Sequence, residues 1–442
     1  MKKHVVRAAI LLAALLAVSF VCGLVYGVWQ QRHAPATAQP PLEASAQRDF
    51  LRAELTYDAG TRTLRGTQTI AATNRMDEAL SQIVLRLHPN GQSADSVAVT
   101  GVTADGQSVP FERDENDDTL LRIALDWQPG QTVKLSFSLM IKHEKANGAA
   151  IITLPALAML SNGAWQTDAY DALADASCTQ AFDYAITLHA GKKQQTVQMQ
   201  GARDASFALM PGGKTRQAQV GGVQMTALAA SAAQAEKLLD CAREAIKSLE
   251  SIGLAYPFPA LTVVSADTGR EDGAAYSGLI AVGEEKEKEA LLRRMTRLIA
   301  RQTFGVSVGN DLYGAPWLSH TLASTAELLA FRMRKGEAAF ETRFFEEIEV
   351  ATRLTRPYGV TVGAGVDRFG SDAEMTQVLC DQGAAMMLGI GEAIGYDALA
   401  QALCAYAVDN AGGIADRQAL ESALARVSGS SWAGYLGEEL EY

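Results

Sequence analysis

In Arg297-Leu-Ile-Ala-Arg301-Gln-Thr-Phe-Gly305, and in the Val308-Gly-Asn-Asp311 and Pro316-Trp-Leu-Ser-His320 that follow, charged and aromatic residues fall at helical spacing around a glycine-marked break. Glu289, Arg293, Arg297 and Arg301 recur every four residues, so their side chains share one face of a helix expected over about residues 285–303. Two readings of that stripe stay open. It is a solvated row in which Glu289 supports Arg293 by roughly a few tenths of a kcal/mol, or a row whose inner members, Arg297 and Arg301, project into a cleft.

On either side of this segment the pattern is mostly helical. Residues 229–252 are amphipathic, with Leu238, Leu239, Ala242, Ile246 and Leu249 at steps of three or four. A short strand is expected at 261–265, then helices at 317–333, 340–354 and 373–393 and two or three more to the end. Upstream of residue 220 the period is two. Strand-like runs at 51–57 and 63–70 flank the turn signal Asp58-Ala-Gly60, and others follow at 83–87, 132–141 and 184–188. Short strands separated by Gly, Asp and Asn imply a β-sandwich-like domain. The expected class is α+β and multidomain: a cytoplasmic stub and anchor at 1–33, a linker at 34–48, a β-domain at 49–221 and a helix-rich domain at 222–442.

The anchor rests on residues 8–29, which are 22 residues without a charge, preceded by Lys2, Lys3 and Arg7. That exceeds the ~20 residues needed to span a hydrocarbon core, and the basic flank places the N-terminus in the cytoplasm. A cleaved signal peptide with Ala36-Thr37-Ala38 as its small-residue site is the alternative, although its apolar region is usually roughly 7–15 residues. The expected location is the cell membrane, single-pass, with the bulk of the chain extracytoplasmic. Four of the 39 Lys and Arg side chains and none of the 50 acids lie in the first 33 residues, which leaves 35 basic against 50 acidic groups beyond them. Nucleic acid is therefore not an expected partner. Cys22, Cys178, Cys241, Cys380 and Cys404 lack metal or redox spacing, and Cys380 with Cys404 is the one pair to test for a disulfide.

Motifs judged on their own chemistry exclude more than they assign. A zinc hydrolase of the His-Glu-x-x-His type needs two imidazoles one helical turn apart. The six histidines, His4, His33, His88, His143, His189 and His320, include no such pair. Gly305-Val-Ser307-Val-Gly309 fits a nucleophile elbow in letters only, because Ser307 follows a helix rather than a strand. Gly389-Ile-Gly391 lacks the third glycine and the preceding strand of a dinucleotide site, and no phosphate loop is present.

Taken in order, several stretches resemble the aminopeptidase N family of gluzincin zinc peptidases. Leu55-Thr-Tyr57, Leu64-Arg-Gly66, Thr73-Asn74 and Leu85-Arg-Leu-His-Pro-Asn90 are similar to its N-terminal β-domain. Leu254-Ala-Tyr-Pro-Phe-Pro259 resembles its Gly-Tyr-Pro-Tyr element, and Gly273-Ala-Ala-Tyr-Ser-Gly-Leu279 its substrate-edge strand, usually Gly-Ala-Met-Glu-Asn. The opening segment falls where the family has His-Glu-x-x-His-Gln-x-Phe-Gly, Val-Gly-Asn-Asp and Pro-Trp-Leu-x-Glu. Cys380-Asp-Gln-Gly-Ala384 and Ile394-Gly395 resemble the closing helices. The resemblance implies a thermolysin-like fold for the second domain.

It also implies what has changed. The family's two zinc-binding His and its Glu ligand correspond to Arg297, Arg301 and His320, and the general-base Glu to Leu298. The Glu that anchors the substrate amine corresponds to Ala275, and the Tyr that stabilises the tetrahedral intermediate to Cys380. Guanidinium offers no lone pair to a cation, leucine accepts no proton, and thiol is a weak donor. Zinc is expected to be lost, and with it the terms that accelerate hydrolysis. The function expected is that of a non-catalytic pseudopeptidase acting as a scaffold, a sensor or a ligand- or peptide-binding module. Either Arg297, Arg301 and His320 bind an anionic group, such as a peptide carboxylate or phosphate, or the arginines pair with local acids such as Glu271 or Glu327. The expected partners are the membrane, through the N-terminal helix, and an envelope protein or peptide ligand. An active zinc-type metallo-aminopeptidase, or another hydrolase using atypical residues, is the alternative.

Overall fold

The computed structural model describes residues 48–143, 148–161, 163–177, 179–349 and 359–441. The apolar run at 8–29, the linker before residue 48, Cys22 and Cys178 lie outside them, as does the end of the helix expected at 340–354. Among the described residues no helix is long and apolar enough to cross a membrane.

The first domain is built by alternation. In β1 (Asp49–Asp58), Leu51, Ala53 and Leu55 are buried while Arg52, Glu54 and Thr56 face out, the period of a strand with one covered face. β2 (Thr63–Thr73) pairs antiparallel with β1, from Phe50 opposite Ala71 to Asp58 opposite Thr63. The Gly60 N–H donates to Asp58 Oδ1 at 2.8 Å in the turn between them, the local bond that suits Asp to such a position. The remaining strands of this domain, in chain order, are β3 (Leu80–Arg86), β4 (Val97–Ala104), β5 (Gln107–Ser108), β6 (Phe111–Arg113), β7 (Leu120–Trp127), β8 (Thr132–Lys142), β9 (Ala150–Leu154), β10 (Ala156–Leu157), β11 (Leu160–Ser161), β12 (Ala164–Trp165), β13 (Phe182–Ala190), β14 (Lys193–Ala202) and β15 (Ala205–Leu209). A seven-stranded sheet in the order β14-β13-β1-β2-β8-β4-β5 faces a four-stranded sheet, β10-β3-β7-β6. Leu51, Leu55 and Ile70 from one and Ile83, Leu85, Ile123 and Trp127 from the other share one apolar core, as in a sandwich.

The second domain opens on a larger sheet than the single strand expected at 261–265. β16 (Lys214–Val220), β17 (Val223–Ala229), β18 (Ala260–Ser265), β19 (Ala274–Tyr276) and β20 (Leu279–Val282) form a mixed sheet in the order β16-β17-β18-β20-β19. The change of period near residue 220 thus falls inside its first hairpin. Helix α1 (Ala232–Glu250), capped by Ser231 accepting from the Gln234 N–H, crosses between the parallel pair β17 and β18. Behind the sheet lie α2 (Lys288–Arg301), α3 (Trp317–Lys335), α4 (Glu337–Arg343), α5 (Asp372–Met375), α6 (Gly383–Ile394), α7 (Tyr396–Asp409), α8 (Arg417–Ser428) and α9 (Ala433–Glu441). Leu291, Leu292, Met295, Leu298 and Ile299 of α2 enter their common core, each stabilising by about 1.5–3 kcal/mol. The single helix expected at 373–393 is broken: a π-helical turn, Thr376–Gln382, separates α5 from α6. A second π-helical turn, Gln302–Ser307, continues α2 immediately after Arg301.

Candidate functional site

Helices α2 and α3, the edge strand β19 and the π-helical turn Thr376–Gln382 bring the six positions singled out in the sequence into the interior. Arg297, Leu298, Arg301, His320, Ala275 and Cys380 are each no more than 5% exposed, so the arginine stripe is not a solvated row at its inner end. Its outer end is: Glu289 is exposed, and it accepts from Arg334 and pairs with Lys335 at 3.2 Å. The stripe runs from water into the core. Leu298 and Ala275 belong to the apolar core of the helical domain and add nothing polar to the site.

The two buried guanidiniums are each matched to an aspartate, and neither is an acid expected from the sequence. Arg297 Nη1 lies 2.8 Å from Asp272 Oδ2. Arg301 Nη2 donates to Asp175 Oδ2, a residue 126 positions upstream in the β-domain. The other oxygen, Asp175 Oδ1, accepts from Arg270 Nη1 at 3.2 Å. Glu327 instead holds Arg343 through two bonds of 2.9 and 2.7 Å, and Glu271 donates its backbone N–H to Asp372 at 2.8 Å. The partners proposed for the arginines at Glu271 and Glu327 are thus replaced by Asp272 and Asp175. Asp272 sits three residues before Ala275 and was within reach of a sequence argument. Asp175 and Arg270 gave no periodic or motif signal.

Electrostatics fix the protonation of the group. Burial alone raises the Asp175 carboxyl, but Arg301 and Arg270 outweigh it and hold it well below the ordinary carboxylate range. Burial, and then the Arg301 charge, push His320 well below its ordinary value, so the ring is neutral. Arg301 Nη2 is 3.2 Å from His320 Nε2. Guanidinium only donates, so Nε2 is the acceptor and the ring proton sits on Nδ1, which faces Cys380 Sγ at 4.0 Å. Burial raises the Cys380 thiol, the opposite of the shift that activates a nucleophilic cysteine. The Cys380–His320 contact is therefore not a thiolate–imidazolium pair. Cys380 and Cys404 are free thiols rather than a disulfide, and Cys404 donates to the Ile252 carbonyl at 3.4 Å.

This arrangement has little to offer a cation. The His320 Nε2 lone pair faces a guanidinium, Asp175 accepts from Arg301 and Arg270, and Asp272 is ion-paired with Arg297. Among the described residues no group of three or more His, Cys, Asp or Glu side chains is placed to hold a metal ion. What the site does hold is a carboxylate.

No protein-family model matches the chain, and no curated protein matches it in sequence. Among solved structures, a variant of an M1 zinc metallopeptidase from Deinococcus radiodurans, bound to a Tyr-Ser-Ala substrate, is similar with a TM-score of 0.61 at 17% identity, covering 89% of this chain and 94% of that one. The chain therefore has an M1-metallopeptidase-like fold of mixed sheet and helix, in more than one domain, with arginine–aspartate ion pairs buried between α2, β19 and the loop that carries Asp175.

Proposed function

We propose that this chain is a single-pass, membrane-anchored, extracytoplasmic relative of the zinc aminopeptidases that no longer hydrolyses peptides and acts as a scaffold or sensor for another envelope protein. The observation that carries this reading is the pairing of Arg301 with Asp175 and of Arg297 with Asp272, at positions where the resemblance places two zinc-binding histidines. The residues present do not fit zinc: two permanent cations replace two neutral ligands, and the remaining imidazole accepts from one of them. With Leu298 where a general base stands and Ala275 where the substrate amine is anchored, no side chain of the set activates water or orients a peptide.

The anchor is supported by the uncharged run at 8–29 and its basic flank. The use of surface rather than site is supported by the burial of the six positions, none more than 5% exposed. An open groove of about 1770 Å³, bordered by Tyr57, Thr187, Gln195, Lys214 and Thr226, contains none of them.

Two measurements test the reading. Aminoacyl-anilide hydrolysis by the full-length protein, with and without added zinc, is expected to stay at the uncatalysed rate; turnover that a chelator abolishes contradicts it. Affinity capture from the cells of origin is expected to retain a membrane protein on the full chain and to lose it when residues 1–33 are deleted.

A further inference from the structure

The loop at 166–177 belongs to the β-domain by chain order but ends inside the helical domain. Ala174 lies in the apolar core of that domain and Leu173 packs against it. The loop is pinned along its length. Arg86 Nη2 donates to the Asp168 carbonyl at 2.7 Å, the Tyr170 N–H to Asp117 Oδ2 at 3.1 Å, and Arg270 Nη2 to the carbonyls of Ala172 and Ala174 at 2.8 and 3.1 Å. At its inner end Asp175 delivers one carboxylate to donors from two different elements, Arg301 on α2 and Arg270 after β18, with His320 Nε2 at 3.9 Å.

Convergent guanidiniums on the two oxygens of one acid are the chemistry by which proteins recognise carboxylates. Asp175 uses that chemistry incompletely. It engages Arg301 through Nη2 alone, and the buried Arg301 Nε has no hydrogen-bond partner.

We propose that Arg270, Arg301 and His320 form a carboxylate-binding pocket whose occupant here is the chain's own Asp175, so that the loop at 166–177 is an internal ligand competing with a carboxylate from outside. The proposal rests on the metal-free reading of the site and adds a ligand class to it. Tethering gives Asp175 an effective concentration of roughly millimolar or above, so dilute external acids leave the wild type closed. Removing the internal carboxylate opens the pocket. The acid to be bound comes from a small free carboxylate or from a peptide C-terminus, which share the recognised group.

The test is chemical rescue of the full-length Asp175→Ala variant. Its melting temperature is measured in sodium acetate and in sodium chloride of equal ionic strength, and then with a tripeptide bearing a free C-terminal carboxylate and with the same tripeptide amidated. The expected result is a melting temperature below wild type that acetate raises by more than about 3 °C over chloride. Acetate has no such effect on wild type or on the double variant Asp175→Ala/Arg301→Met. The tripeptide acid acting more strongly than acetate assigns the pocket to peptide termini, equal or weaker action assigns it to small acids, and the amide is inert in both cases. Asp175→Ser, which leaves a smaller hole, repeats the comparison if the alanine variant is insoluble in chloride. Failure of both variants to recover in acetate overturns the proposal. Zinc measured on the same samples separates the two readings: bound zinc contradicts the metal-free site, whereas an absent acetate effect without zinc contradicts the pocket alone.

Discussion

Arg301 and Asp175 are the residues on which the site depends, because Arg301 is buried, the Asp175 side chain is only 11% exposed, and the two are paired. A buried charge that loses its partner costs roughly 3–5 kcal/mol, since the medium that strengthens the pair also penalises the survivor. Arg301→Met leaves Asp175 with Arg270 as its remaining partner and is therefore expected to lower unfolding stability by about 1–3 kcal/mol in chemical denaturation. The depressed carboxyl of Asp175 gives a pH dependence of definite sign. Its unfolded value is near 3.8 and its folded value lies below that. The stability it contributes is therefore fully present above about pH 4 and is lost as the pH falls toward the folded value. Denaturation between pH 5 and pH 2 is expected to show a steeper acid loss in wild type than in Asp175→Asn; equal slopes count against a charged Asp175.

Elements, rather than single contacts, decide how closely the site is walled. Helix α3 meets the start of α6 so tightly that a Cβ on Gly383 falls 2.1 Å from Thr321 Oγ1, while the same hydroxyl donates to the Leu379 carbonyl at 2.7 Å. Gly383→Ala is expected to destabilise by about 1–3 kcal/mol in the same denaturation experiment. A neutral result means that the helices separate without cost. The neighbouring π-helical turn carries Cys380 and was not legible: 373–393 reads as one uninterrupted helix because it contains no proline and its apolar residues keep helical spacing. Strands β1, β2, β8 and β13 were legible since one face of each is covered and the period shows. Strand β20 was not, because Leu279-Ile-Ala-Val282 is buried throughout, and a short continuous apolar run carries no period. At the site, the spacing of Arg297, Arg301 and His320 was readable, whereas their counter-charge was not. Asp175 arrives on an irregular loop, where neither periodicity nor propensity says what a side chain will meet.

Across the whole molecule, the two domains are fastened by a further buried arginine, one whose charge meets backbone carbonyls. Arg203, 1% exposed, follows β14. Its Nε donates to the Val306 carbonyl at 2.9 Å, Nη1 to Thr179 at 3.1 Å and Nη2 to Gly413 at 2.5 Å. The β-domain is thereby joined to the π-helical turn after α2 and to the loop before α8. Gly309, where a Cβ would fall 2.3 Å from the Arg203 guanidinium carbon, leaves room for that approach. Arg203→Met leaves four carbonyls, those of Thr179, Val306, Gly412 and Gly413, without this donor and is expected to raise amide exchange selectively at 304–309 and 412–415. Exchange that rises uniformly instead indicates global destabilisation rather than an unfastened joint. This fastening presents the loop at 166–177 to α2 and so bears directly on whether the site stays closed.

The central claim is that the site's buried arginines, matched to Asp175 and Asp272, exclude a divalent cation from it. Equilibrium dialysis of the full-length protein against zinc, followed by metal quantification, tests it most directly. The account predicts no zinc that Arg301→Ala or His320→Ala removes. One zinc per chain, released by a chelator and lost in those variants, would contradict it.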